Sequence, residues 1–288
     1  MDPNTLATNL ERLCSTLQPP SPEARSLADA IPFSRAHSPT GFLAISKTRN
    51  DLPTKAVKQS LGQPTSRESP TCTESWLHTD DCVFYYLSGF GYPNTEAGFL
   101  FKQSLAEGGL ASPFDSGALW EWLDWPGCPP AGAADTDGQN LRAEQARAFL
   151  AQHSMAGPDC RSYLARFLSD SFTDPFDYLR GTLPMAPDLH RLTPCSGKTV
   201  DHRRWTFEMR LPTGPESAVP LPGHHLEAVF YRETLATDPD VARFLIECRK
   251  RGAQVIPFSA VSGPSSFKAL QRAGIDYLDA KLNVPSDT

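Results

Sequence analysis

The chain is poor in several features that would have settled its class. Its seven cysteines are scattered through 288 residues, and no two stand in a CxxC or CxxxC pair. Neither a zinc finger nor a disulfide framework is therefore indicated. The odd number fits reduced thiols and a cytoplasmic setting. Glycine-rich phosphate loops are missing as well, both GxGxxG and GxxxxGK[ST]. Ser196-Gly197-Lys198-Thr199 is only the tail of one. A formal net charge of -6 leaves no global field to draw the chain to nucleic acid. No window approaches the roughly 20 apolar residues of a membrane span. The opening MDPNTLATNLERLC has acidic side chains and no long apolar run, unlike an export signal. No internal repeat is visible, and no metal is expected. His224 and His225 are neighbours that a strand would point to opposite faces.

What is present reads as an ordinary globular chain, with 40% hydrophobic and 21% charged residues. Its 27 prolines predict short elements joined by irregular connections. The most informative stretch is 201–258. Trp205, Phe207, Met209 and Leu211 alternate with Thr206, Glu208 and Arg210, the period of a half-buried strand. Leu226–Tyr231 is a second strand. Thr237-Asp238-Pro239 supplies a cap and a first-turn proline for a helix whose apolar stripe is Val241, Phe244, Leu245 and Cys248. Arg249, Lys250 and Arg251 suit its negative end, Gly252 stops it, and Val255–Phe258 is a third strand.

Earlier in the chain, Leu6, Leu10, Leu13 and Leu17 predict an amphipathic helix, and Pro22–Ala30 a second. Gly41–Ile45 reads as an edge strand or a buried loop. From Ser46 to Thr73 the composition turns polar, a linker or surface loop with at most a short helix at Pro53–Leu61. Cys82–Leu87 and Ala97–Phe101 are apolar strands buried on both faces. Trp120, Trp122 and Trp125 read as a packing cluster. Helices follow at Leu141–His153 and Asp159–Ser169, then a turn capped by Asp174. Ser265–Arg272 predicts a short helix, and Tyr277–Ala280 an ambiguous last element. The expected fold is α+β: a mixed or antiparallel sheet with a helical insert at about 139–181 and a helical, partly irregular N-terminal extension. Composition divides the chain at residue 73, with the α+β domain over 74–288. One core is expected to hold Phe84, Leu87, Phe99, Phe101, Phe207, Met209, Val229, Phe244 and Leu245.

Chemistry-bearing residues gather in two places. His78 and Thr79 stand just before the first of the two apolar strands, which carries Tyr85 and Tyr86. Glu208 lies in a later strand behind Arg203 and Arg204. An imidazole and a hydroxyl at a strand entrance can hold a ribose and an amide. Arginines can clamp a pyrophosphate, and a carboxylate can stabilise a positively charged sugar carbon. In this order the chain resembles the ADP-ribosyltransferase fold, and its carboxyl half is most similar to the DNA-modifying toxin (DarT-like) branch. There a His-containing motif opens the first strand. A basic residue and a catalytic glutamate start a later one, with a strand, a helix and a strand behind them. The resemblance spans 76–101 and 201–258. It implies a glycosyltransferase that takes NAD as substrate and passes ADP-ribose to a nucleic acid or protein acceptor. Glu208 and Arg204 would be catalytic, with His78, Thr79, Tyr85, Tyr86 and Arg203 on the dinucleotide and Glu227 as the alternative carboxylate. The serine-rich second-strand motif of that family has only ASPFDSG (111–117) in its place.

Two other readings compete. Cys82 heading an apolar run and His224 or His225 opening a strand are laid out as in papain-like or NlpC-like thiol hydrolases, though such enzymes want a helix after the cysteine. Alternatively the protein is a non-catalytic interaction protein, in which Glu208 is the solvent-facing partner of apolar neighbours.

Overall fold

The computed structural model describes residues 2–15, 19–49, 73–79, 82–87, 95–179, 207–212 and 225–282. In chain order the elements are α1 (Pro3–Ser15), α2 (Pro22–Ala30), β1 (Phe33–His37), α3 (Pro39–Thr48), α4 (Thr73–Trp76), β2 (Cys82–Tyr86), β3 (Ala97–Phe101), β4 (Leu110–Ser112) and α5 (Ser116–Trp122). They continue with α6 (Thr136–Gln152), β5 (Met155–Ala156), α7 (Cys160–Ser171), β6 (Glu208–Pro212), β7 (Leu226–Arg232), α8 (Pro239–Lys250), β8 (Gln254–Phe258) and α9 (Pro264–Leu282). The fold is α+β, with a mixed sheet of strand order β5-β4-β6-β2-β1-β3-β7-β8. The elements pack as two compact units.

The second unit holds β1, α3, the end of β2, β3, β7, α8, β8 and α9. Here β1 runs antiparallel to both β2 and β3, and β3 antiparallel to β7. The α8 crossover makes β7 and β8 parallel. Asp238 caps α8 through the N–H groups of Asp240 and Val241, and Pro239 takes its first position, as the sequence expects. All five residues of β3 are buried. Phe99 meets Phe42 of α3 at 5.7 Å and Phe244 of α8 at 6.2 Å between ring centroids. On α9, Tyr277 sits edge-on to Phe230 of β7 at 5.6 Å. Each buried phenylalanine of this set stabilises the unit by about 1.5–3 kcal/mol through burial alone.

Two expectations need correction here. Gly41–Ile45 is neither edge strand nor loop but the body of α3. Ser38 accepts from the Gly41 N–H and Pro39 occupies the first turn, a start signal that outweighs the short apolar run. The carboxyl-terminal pieces form one helix, α9, because Leu270, Gly274 and Leu278 recur at i, i+4 and i+8 and are all buried. β1 also lies ahead of the polar stretch and pairs on both sides, so the residues before 73 take part in the sheet rather than standing apart from it.

The first unit holds α1, most of α2, α4, the start of β2, β4, α5, α6, β5, α7 and β6. β4 runs antiparallel to β5 and β6, with Ser112 opposite Glu208 and Leu110 opposite Arg210. Gly157, just past β5, donates to the Gly109 carbonyl at 2.9 Å. A Cβ on it would lie 2.5 Å from the Ala106 carbonyl oxygen, so this approach admits only glycine. The helices of the insert pack an aromatic group: Phe167 of α7 meets Phe207 at 5.8 Å and Phe172 at 5.7 Å. Trp76 stacks on Trp120 at 5.3 Å, and the Arg142 guanidinium lies 5.5 Å from the Trp120 ring. Arg142 donates to the carbonyls of Trp120, Leu123 and Pro129, closing the open end of α5. Trp120 and Trp125 are thus packing residues, while the side chain of Trp122 lies outside the described residues.

The expected core is divided accordingly. Phe207 and Met209 are buried in the first unit, whereas Phe99, Phe101, Val229, Phe244 and Leu245 are buried in the second. Phe84 is only half-buried, because Val83 and Tyr85 take the inward positions of β2.

Candidate functional site

The strand period sets Glu208 and Arg210 on one face of β6 and Phe207 and Met209 on the other. The sequence expects the first pair to meet solvent. Instead Glu208 is 2% and Arg210 4% exposed, with Ser116 at the start of α5 against Glu208 and Ser154 against Arg210. The solvent-facing reading of Glu208 is thereby overturned. Its Oε2 accepts from the Ser116 N–H at 3.3 Å, and the Arg210 Nε stands 3.8 Å from its Oε1, close enough for charge but too far for a hydrogen bond. Arg210 donates to the Ser154 hydroxyl at 2.6 Å, which in turn donates to the Leu150 carbonyl at 2.5 Å. Among the described residues, neither Glu208 Oε1 nor Arg210 Nε has a hydrogen-bond partner.

A second acid stands beside this pair. Asp115, 4% exposed, caps α5 by accepting from the Ala118 N–H at 3.0 Å. Burial first, then the Asp115 carboxylate, push the Glu208 carboxyl up to about 8. Arg210 and the Ser116 N–H only partly offset them. Burial likewise pulls Arg210 below its ordinary value, with Glu208 and the Cys82 thiol opposing. The result is a carboxyl that holds a proton near neutrality and sits against a guanidinium, which suits proton exchange.

The other expected site residues fall in one unit or the other, or outside the described residues. His78 is exposed in a left-handed turn (φ 54°), and Thr79 is buried, its backbone carbonyl accepting from Cys82. The Thr79 hydroxyl has no partner among the described residues. Tyr85 and Tyr86 belong to the second unit. Tyr85 is fully buried, edge-on to Phe101 at 5.2 Å, and the Tyr86 carbonyl accepts from the Ser34 hydroxyl at 3.1 Å. Cys82 is buried at the head of a strand, not of a helix. Arg203, Arg204 and His224 lie outside the described residues. Glu227 is engaged with α9, accepting from the Tyr277 hydroxyl at 3.1 Å and the Lys281 ammonium at 2.7 Å.

Residues that sequence reasoning passed over surround Glu208: Asp115, Ser116, Ser154 and Arg210. The signal for the first two was in 111–117, where Asp115 stands as a helix cap. In the second unit the missed residues are Arg35 and His37 on β1. Arg35 Nε donates to His37 Nε2 at 3.2 Å, and its guanidinium lies 5.9 Å from the Tyr85 ring. Desolvation, and then the Arg35 charge, hold His37 well below the usual imidazole value. Among the described residues no His, Cys, Asp and Glu group is placed to hold a metal ion. No described helix is long and apolar enough to cross a membrane. No protein-family model, curated protein or solved structure matches the chain.

Proposed function

We propose that the protein transfers ADP-ribose from NAD to a nucleobase or protein acceptor, with Glu208 as the carboxylate that stabilises charge on the ribose carbon. The observation that carries the reading is the setting of Glu208. It opens β6, it is buried beside Arg210, and β7, α8 and β8 follow in the order the resemblance expects. In the transfer the ribose–nicotinamide bond breaks and its electron pair leaves with nicotinamide. The acceptor bonds to the ribose carbon and gives its proton to the carboxylate. A carboxylate fixed there interacts more strongly with the transition state than with the ground state.

The resemblance also expects a His-containing motif where the first strand opens. The first strand of this chain is β1, not β2, and His37 closes it rather than opening it. His78, Thr79, Tyr85, Tyr86, Arg203 and Arg204 are the residues to be tested for dinucleotide binding. Calorimetry with NAD and a turnover assay test the proposal together. Glu208→Gln keeps the shape and removes the charge, so turnover should fall about a hundredfold or more while NAD binding persists. Absence of NAD binding at millimolar dinucleotide would end this reading.

A further inference from the structure

The Arg210 guanidinium lies between two neighbours and reaches only one of them. Its Nη2 donates to the Ser154 hydroxyl at 2.6 Å, whereas its Nε stops 3.8 Å from Glu208 Oε1. Both side chains of the ion pair are buried, and among the described residues neither of the two facing atoms has a hydrogen-bond partner. Buried ion pairs favour hydrogen-bond distance, since charged groups left short of partners away from water are costly. This pair is held open, and Ser154 is placed to hold it. Ser154 lies just past the end of α6, and its hydroxyl donates to the Leu150 carbonyl in the last turn of that helix at 2.5 Å. A hydroxyl has one proton, so with that proton on Leu150 the Ser154 oxygen meets Arg210 as an acceptor. The anchor belongs to α6, not to β6.

We propose that Ser154 is a positioning residue: its hydroxyl, anchored on α6, holds the Arg210 guanidinium near enough to balance the charge of Glu208 but too far to hydrogen-bond Oε1. That oxygen stays open to exchange a proton. Arg210 on the same strand, the Ser116 N–H and Asp115 at the start of α5 act on this carboxyl, and the Cys82 thiol of β2 acts on the guanidinium. A change at Ser154 leaves each of these groups in place. It removes the acceptor that holds Arg210 back, and closing on Oε1 would then give both facing atoms the bond they lack. A charge-assisted bond of that kind favours the ionised carboxyl. The proposal deepens the transferase reading and rests on it only for its catalytic meaning, because a Glu208 bonded to Arg210 takes the acceptor's proton less readily.

The test needs no dinucleotide, which separates its failure from failure of the transferase reading. The Glu208 carboxyl is titrated by carbon NMR in the full chain for wild type, Ser154→Ala and Ser154→Thr, with Glu208→Gln for assignment. In Ser154→Ala the midpoint should move down from about 8 by about one pH unit or more. Ser154→Thr keeps the hydroxyl and should keep the wild-type midpoint. If the alanine variant folds poorly, Ser154→Cys keeps the size, weakens the acceptor and should move the midpoint in the same direction. A purely structural role for Ser154 would lower stability and leave the midpoint in place, and that result would overturn the proposal. So would a midpoint that rises, or one that falls equally in Ser154→Thr.

Discussion

Two glutamates in this molecule expose almost no surface, and they behave in opposite ways. Glu96 in the second unit and Glu208 in the first are each 2% exposed, and each faces an arginine. Around Glu96 every oxygen is used. Arg232 Nε donates to Oε2 at 2.6 Å, while the Ser262 hydroxyl and the Gly263 N–H, at 3.3 Å, donate to Oε1. Burial alone would raise this carboxyl, but Ser262, Arg232 and Gly263 outweigh it and leave it below its ordinary value. Around Glu208 burial comes first and another acid adds to it, while the arginine stands off at 3.8 Å and one N–H reaches it at 3.3 Å, so the carboxyl rises to about 8. Low exposure alone does not decide the protonation state of a carboxyl. The depth of its desolvation, set against the charges and hydrogen bonds that favour its charged form, does. A satisfied carboxylate works as a pin, here holding the 259–263 connection to β3 and β7, and an unsatisfied one keeps a proton to exchange.

The largest effect that could break this contrast is on stability. Glu96→Ala strands Arg232 and the loop donors and should cost about 3 kcal/mol or more in chemical denaturation. Turnover per folded molecule should stay as in the wild type, and a small stability loss would mean that Glu96 is not the pin described. Next comes the pH dependence, whose sign differs between the two. Glu208 binds its proton more tightly folded than unfolded. Its contribution is therefore complete at acid pH and declines between about 4.5 and 8. Glu96 has the reverse sign, and its contribution declines as pH falls below the ordinary glutamate range. Unfolding curves of Glu208→Gln and Glu96→Gln against the wild type separate the two windows, and coincident windows would erase the distinction. The smallest effect is a control in the second unit. Asp238→Ala removes the cap of α8 and should cost about 1 kcal/mol with no change in the pH dependence.

Much of the fold was legible because local signals and packing agree. Asp238-Pro239 with the Val241, Phe244, Leu245 and Cys248 stripe defined the start and buried face of α8, and Leu226–Tyr231 and Ala97–Phe101 are strands as read. Misreadings arose where packing overrides period. The alternation at 207–210 predicts a wet face and a dry one, yet residues on both faces are buried, with Ser116 and Ser154 from elsewhere in the chain against the polar pair. β4 and β5, of three and two residues, are too short to leave a pattern. Glu208 could be singled out from its strand position, but its neighbour Asp115 lies 93 positions earlier along the chain, a pairing only the fold reveals.

The contrast between the two glutamates is tested most directly by carboxyl-carbon NMR of the full chain, with Glu96→Gln and Glu208→Gln used for assignment and both resonances titrated in one sample. The account predicts that Glu96 changes below the ordinary glutamate midpoint of 4.5 while Glu208 changes near 8. Two ordinary midpoints, or a Glu208 already ionised in mildly acid solution, would contradict it.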